Sequence, residues 1–187
     1  YMDNMFELDS QISGWVDTTY LEIPPFNTSK VENMASMFKY RRLANFPQFD
    51  YSKVKNANGM FNNTLWKEPL VLDTLEMPNT TTVGALFDSS NIKEVNSLNF
   101  PSCTYLSSLF SQCKTLERVG TVKAKAGVST STDNMFRYCS ALVEVEKVDA
   151  QGFDLSAFTP ENAKSVENKT LHIRSPLYCI AKGGYCY

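Results

Sequence analysis

Apolar residues return along this chain in a fixed phrase: NMASMF at 33–38, NANGMF at 56–61, TYLSSLF at 104–110 and STDNMFRYCSAL at 131–142, with MDNMF at the start. Taking the Phe of each phrase as an anchor gives Phe6, Phe38, Phe61, Phe87, Phe110 and Phe136, spaced 32, 23, 26, 23 and 26 residues apart. Self-similarity at this period is the mark of stacked coils. Upstream of each anchor, slots at −7, −4 and −1 are filled by Val31, Met34, Met37; Val54, Ala57, Met60; Thr80, Val83, Leu86; Cys103, Leu106, Leu109; and Ser129, Thr132, Met135. Spacing by threes, closed by an adjacent pair, predicts a short helix or 3₁₀ segment with those side chains on one face.

Downstream, a second frame recurs. It reads Leu43, Phe46, Phe49, Tyr51; Leu72, Leu75, Met77 after Pro69; Ile92, Val95, Leu98, Phe100; Leu116, Val119, Val122, Ala124; and Leu142, Val145, Val148, Ala150. A weaker version, Tyr20, Ile23, Phe26, Thr28, precedes the second anchor. Its closing apolar–x–apolar step alternates with period two and predicts a short strand. The expected fold is an α/β repeat solenoid: a right-handed, leucine-rich-repeat-like stack of five to six coils. Parallel strands form one face and short helices or 3₁₀ turns the other. Each coil buries its apolar residues against its neighbours, so the Phe anchors are expected to share one core layer. Residues 1–150 form this solenoid, with 1–28 a degenerate first coil. Past Ala150 the rhythm fails, and 151–187 is expected to be a C-terminal cap of the same domain, with KTLHIRS as a last strand.

Residues alternating outward on the strands should make two rows. One is Gln48, Thr74, Ser97, Thr121, Lys147; the other is Asp50, Glu76, Asn99, Lys123, Asp149. Solenoids bind through such extended faces, so these are the candidate binding residues.

Composition narrows the function. With 187 residues, 43% hydrophobic and 20% charged, the chain is globular, and a net charge of −2 gives no electrostatic footprint for nucleic acid. No apolar run reaches the ~20 residues of a membrane span. The chain opens at Tyr1 without the order of a signal peptide, so we expect a mature product or a cut piece with any targeting segment out of view.

Candidate chemistry is sparse. The five cysteines, Cys103, Cys113, Cys139, Cys179 and Cys186, include no CxxC pair, which fits neither a zinc site nor a disulfide framework. Cys113 and Cys139 each follow a Phe by three residues and are expected in a core ladder. A Cys179–Cys186 disulfide is left open beside two free thiols. His172 has no acidic or Cys partner at triad or ligand spacing, and no metal, nucleotide or hydrolase motif is present. The expectation is a protein that is not an enzyme and has no cofactor.

The strings NTSKVENMASMF and STDNMFRYCSAL resemble the BspA-like leucine-rich repeat surface proteins of bacteria, typified by strings such as SNVTNMSGMFYGCSSL. The likeness covers roughly residues 27–150, although Arg41, Thr64 and Ser90 stand in the usual Cys slot. The resemblance implies an extracellular or cell-surface binding module for adhesion, with a protein or glycan ligand and no catalysis. The alternative is a structural repeat domain in a larger surface or virion assembly.

Overall fold

The computed structural model describes residues 1–7, 19–151, 153–154, 157 and 172–173. Its organising element is a turn segment repeated at every anchor. In the coil of Phe38, the amides of Met34, Ser36, Phe38 and Tyr40 donate to carbonyls of the next coil, at Asn56, Asn58, Met60 and Asn62. The intervening amides of Met37, Lys39 and Arg41 donate back three residues within the coil. The same alternation recurs around Phe61, Phe87 and Phe110. Every second donor is thus committed to a neighbouring coil, and every other one closes a tight turn.

That alternation removes the α-helical alternative and leaves isolated i→i−3 turns, the hydrogen bond of a 3₁₀ turn without its continuous run. An α-helix needs each amide for its own i−4 carbonyl, and here half are spent between coils. Among the described residues no α-helix forms. The turns instead require positive φ two residues before and two after the anchor: Ser36 and Tyr40, Gly59 and Asn63, Ala85 and Ser89, Ser108 and Gln112, Asn134 and Tyr138. Gly59 and Asn134 are of the types that enter the left-handed region readily, while Ser36, Ala85 and Ser108 are held there by the turns at a cost.

The other flank of each coil is β-structure. Arg42–Leu43 (β1) pairs in parallel with Leu65–Trp66 (β2). Leu70–Glu76 (β3), Ile92–Asn99 (β4), Arg118–Lys123 (β5), Glu144–Asp149 (β6) and His172–Ile173 (β7) form one parallel sheet in chain order. Single parallel bridges link Asn33, Asn56, Thr82, Tyr105 and Ser131 before the turns. The chain is therefore a parallel-strand β-solenoid of about four turns, where the sequence led us to expect five to six coils. The β3–β7 sheet does not extend to the earlier coils, which meet through β1–β2, single bridges and turns.

Between the two flanks lies the core, and the anchors stand in it as a column. Phe6, Phe38, Phe61, Phe87, Phe110 and Phe136 stack ring on ring, with centroids 5.5, 5.6, 5.6, 5.7 and 5.7 Å apart and interplanar angles of 2–7°. Phe153 meets Phe136 edge-on at 6.3 Å, and the Phe136 amide donates to the Ala157 carbonyl. The frame residues of β4, β5 and β6 are all buried. One upstream slot departs: Ser129 is exposed, and the neighbouring Thr130 turns inward. Strands lie so close at Gly120 that an added Cβ would sit 2.2 Å from the Asn96 carbonyl oxygen. Most of 151–187, including Cys179 and Cys186, falls outside the described residues. His172 and Ile173 pair with Glu144 and Val145, as the last predicted strand requires.

Candidate functional site

Buried polar side chains of the core find partners in neighbouring coils, except Trp66 Nε1 and Asn99 Oδ1, which are buried with no hydrogen-bond partner among the described residues. Three residues after four of the anchors, a side chain donates to the carbonyl of the preceding coil's Phe. Arg41 Nε reaches the Phe6 carbonyl, Thr64 Oγ1 that of Phe38 at 2.8 Å, Cys113 Sγ that of Phe87 at 2.9 Å and Cys139 Sγ that of Phe110 at 2.9 Å. Ser90, in the same slot, contacts Cys113 Sγ at 3.7 Å through its hydroxyl. The slot selects a hydrogen-bond donor small or long enough to reach back one coil. That explains why Arg, Thr and Cys interchange there. Cys103, Cys113 and Cys139 are buried thiols. Burial pushes the Cys113 thiol up to about 12 and holds that of Cys139 well above its ordinary value. The thiolate is the reactive form, so these side chains serve packing. Among the described residues no group of His, Cys, Asp and Glu is arranged to hold a metal ion.

The polar rows on the sheet are the remaining candidates, and strand register places them. Thr74, Ser97, Thr121 and Lys147 pair across β3–β6, as do Glu76, Asn99, Lys123 and Asp149. Eight of the candidate residues therefore lie side by side as two lines along the stack. The strands run with their inward residues three apart, so the outward residues fall between them in every coil. Lys147 Nζ lies 3.6 Å from Asp149 Oδ2 on the same strand. Beside the rows, Arg118 bridges three coils: it contacts Glu144 Oε2 at 3.2 Å, Glu146 Oε2 at 3.5 Å and Asn96 Oδ1 at 3.0 Å. Pattern reading missed Arg118, because it lies one step outside the alternating positions.

The rows stop at β3. Gln48 and Asp50 were expected to continue them, but 44–52 pairs with no strand of this sheet. Pro47 has no amide to donate. The coil of Phe61 also carries three more residues between anchor and final slot than the coil before it, 16 against 13. The two segments part after β1–β2 and leave a cleft of about 630 Å³ between 46–52 and 70–78. Asp50 Oδ1 accepts the Ser52 amide at 2.9 Å, and hydrogen bonding to Ser52 holds its carboxyl below the ordinary value.

Residues 1–91 are similar to the family described as "Mycoplasma protein of unknown function, DUF285". No curated protein and no solved structure is significantly similar to the chain. Among the described residues no helix is long and apolar enough to cross a membrane.

Proposed function

We propose that this chain is a non-catalytic binding module of the BspA-like, leucine-rich-repeat kind. In this reading it recognises a surface protein or glycan, in adhesion or surface recognition, at an extracellular or cell-surface location. The supporting observation is the pair of in-register rows across β3–β6, which offer hydroxyl and charged groups at strand spacing along one open face, with the Asn99 side-chain carbonyl oxygen turned away from solvent. Repetition at that spacing suits a ligand that is itself extended, such as a glycan chain or a protein surface. The mixture of Glu76, Lys123, Lys147 and Asp149 favours a contact-driven interface over long-range steering.

A glycan and matrix-protein array probed with the chain is expected to give saturable binding that weakens on Lys123→Glu. Lys123 is exposed, so its replacement should leave the thermal midpoint unchanged. Silence across the array, or binding indifferent to row substitutions, would remove the sheet face as the recognition surface.

A further inference from the structure

The cleft between 46–52 and β3 is a gap in an otherwise continuous stack, and both its ends are tied. On one side β1 and β2 hold the coils together. On the other, Asn79 Nδ2 donates to the Ser52 carbonyl at 2.6 Å and the Thr81 amide to the Lys55 carbonyl at 2.9 Å. Between these ties no backbone hydrogen bond crosses, among the described residues. The slot is therefore preformed.

One wall is β3, the edge of a five-stranded parallel sheet. An edge strand carries a row of unpaired amides and carbonyls, and natural proteins blunt such edges with lysines, prolines or bulges. Here Pro69 and a register shift between Leu70 and Val71 guard the start, and the charges carried on the strand itself, Asp73 and Glu76, repel only acidic partners. Val71 is 58% exposed, and no lysine lies on the strand. Apolar side chains line the slot, among them Phe46, Phe49, Leu70 and Leu72. Its charged lining consists of Asp50, Asp73 and Glu76, with no Lys, Arg or His. Lys53 offsets part of the charge of Asp50. Asp73 is bonded only to the neutral amide of Asn96, and neither Asp73 nor Glu76 is in an ion pair among the described residues.

We propose that this slot takes an extended polypeptide segment bearing Lys or Arg, which adds as a strand to the edge of β3. The backbone supplies the ladder, as in strand-addition complexes, while Asp73 and Glu76 receive the cationic side chains and the lining receives apolar ones between them. A second copy of this chain joined through β3 is disfavoured, because it would set Asp73 and Glu76 against their own equivalents. The inference rests on the reading of the chain as a binding module and assigns the partner of one part of its face.

The test uses the full chain and a capped heptapeptide alternating Val and Lys, followed by amide hydrogen exchange and heteronuclear NMR titration. Exchange should slow at 70–76, with shifts concentrated at 46–52 and 70–76. Asp73→Lys combined with Glu76→Lys should weaken binding roughly tenfold or more. A peptide N-methylated at alternate amides should fail to bind. Unchanged β3 exchange at saturating peptide would overturn the proposal. So would equal binding of the N-methylated peptide or of a Glu-for-Lys peptide, or a dimer in sedimentation that protects β3 without peptide. Lys123→Glu lies outside the slot and should leave peptide binding intact, so failure here and failure of the sheet-face reading give different patterns.

Discussion

Replacing Phe87 with Ala tests the stacked column directly. Its ring is fully buried and sits 5.6 Å from Phe61 on one side, 5.7 Å from Phe110 on the other and 6.3 Å from Trp66. Truncating such a ring costs about 3–5 kcal/mol in lost transfer energy and cavity formation. Two ring-on-ring contacts, each worth about 0.5–1.5 kcal/mol beyond area burial, place Phe87→Ala in the upper part of that range. In urea, with a slope of about 2 kcal/mol per M, the midpoint should fall by roughly 2 M. A break in mid-stack should also lower the slope, because coils of a solenoid are coupled only to their neighbours. Phe87→Leu keeps an apolar side chain in the cavity and should cost markedly less, while Phe6→Ala should cost about half as much, since Phe6 is only partly buried at the column's end. Equilibrium unfolding followed by circular dichroism reads all three. A loss under about 1 kcal/mol for Phe87→Ala, or Phe87→Leu as damaging as Phe87→Ala, would mean that the column does not carry the stability assigned to it.

Two further predictions address the turns and the thiols. Ala85 stands at φ 53°. In a helix interior Ala→Gly costs about 1 kcal/mol, whereas at this left-handed position Ala85→Gly should be neutral or stabilising by up to about 1 kcal/mol, and Gly59→Ala should destabilise. Thermal denaturation gives the sign, and a destabilised Ala85→Gly would restore the helical reading. Burial raises the folded-state values of Cys113 and Cys139 above the ordinary one near 9. The stability they contribute is therefore complete below pH 9 and is lost as pH climbs toward 12, at up to about 1.4 kcal/mol per pH unit for each thiol. Urea midpoints of a Cys179→Ser, Cys186→Ser background should fall from pH 9 upward, and its three core thiols should resist a disulfide reagent until unfolding. A flat profile to pH 11, or labelling in the folded state, would contradict this.

Much of the architecture was legible in the chain itself. The anchor Phe residues and the frame downstream were readable because a stacked coil must place equivalent apolar groups in equivalent layers. The same periodicity gave the register of Thr74, Ser97, Thr121 and Lys147, and of Glu76, Asn99, Lys123 and Asp149. Side-chain pattern reports burial and carries no record of where a backbone amide donates. Spacing by threes suits a helix and a chain of tight turns equally. Only the stacked backbone, sending every second amide to the next coil, chose turns. Positive φ at Ser36, Ala85 and Ser108 follows from that choice, and the small residues before each anchor were its one trace in the sequence.

The cleft likewise belongs to the tertiary structure. Gln48 and Asp50 fit the row pattern as well as Thr74 and Glu76 do. Pairing, however, depends on two coils keeping the same length and donors, and Pro47 with the longer coil that follows breaks that match. A sequence determines which side chains a coil buries. Whether adjacent coils close on each other, and what an unclosed edge offers to another chain, is decided only where their backbones meet.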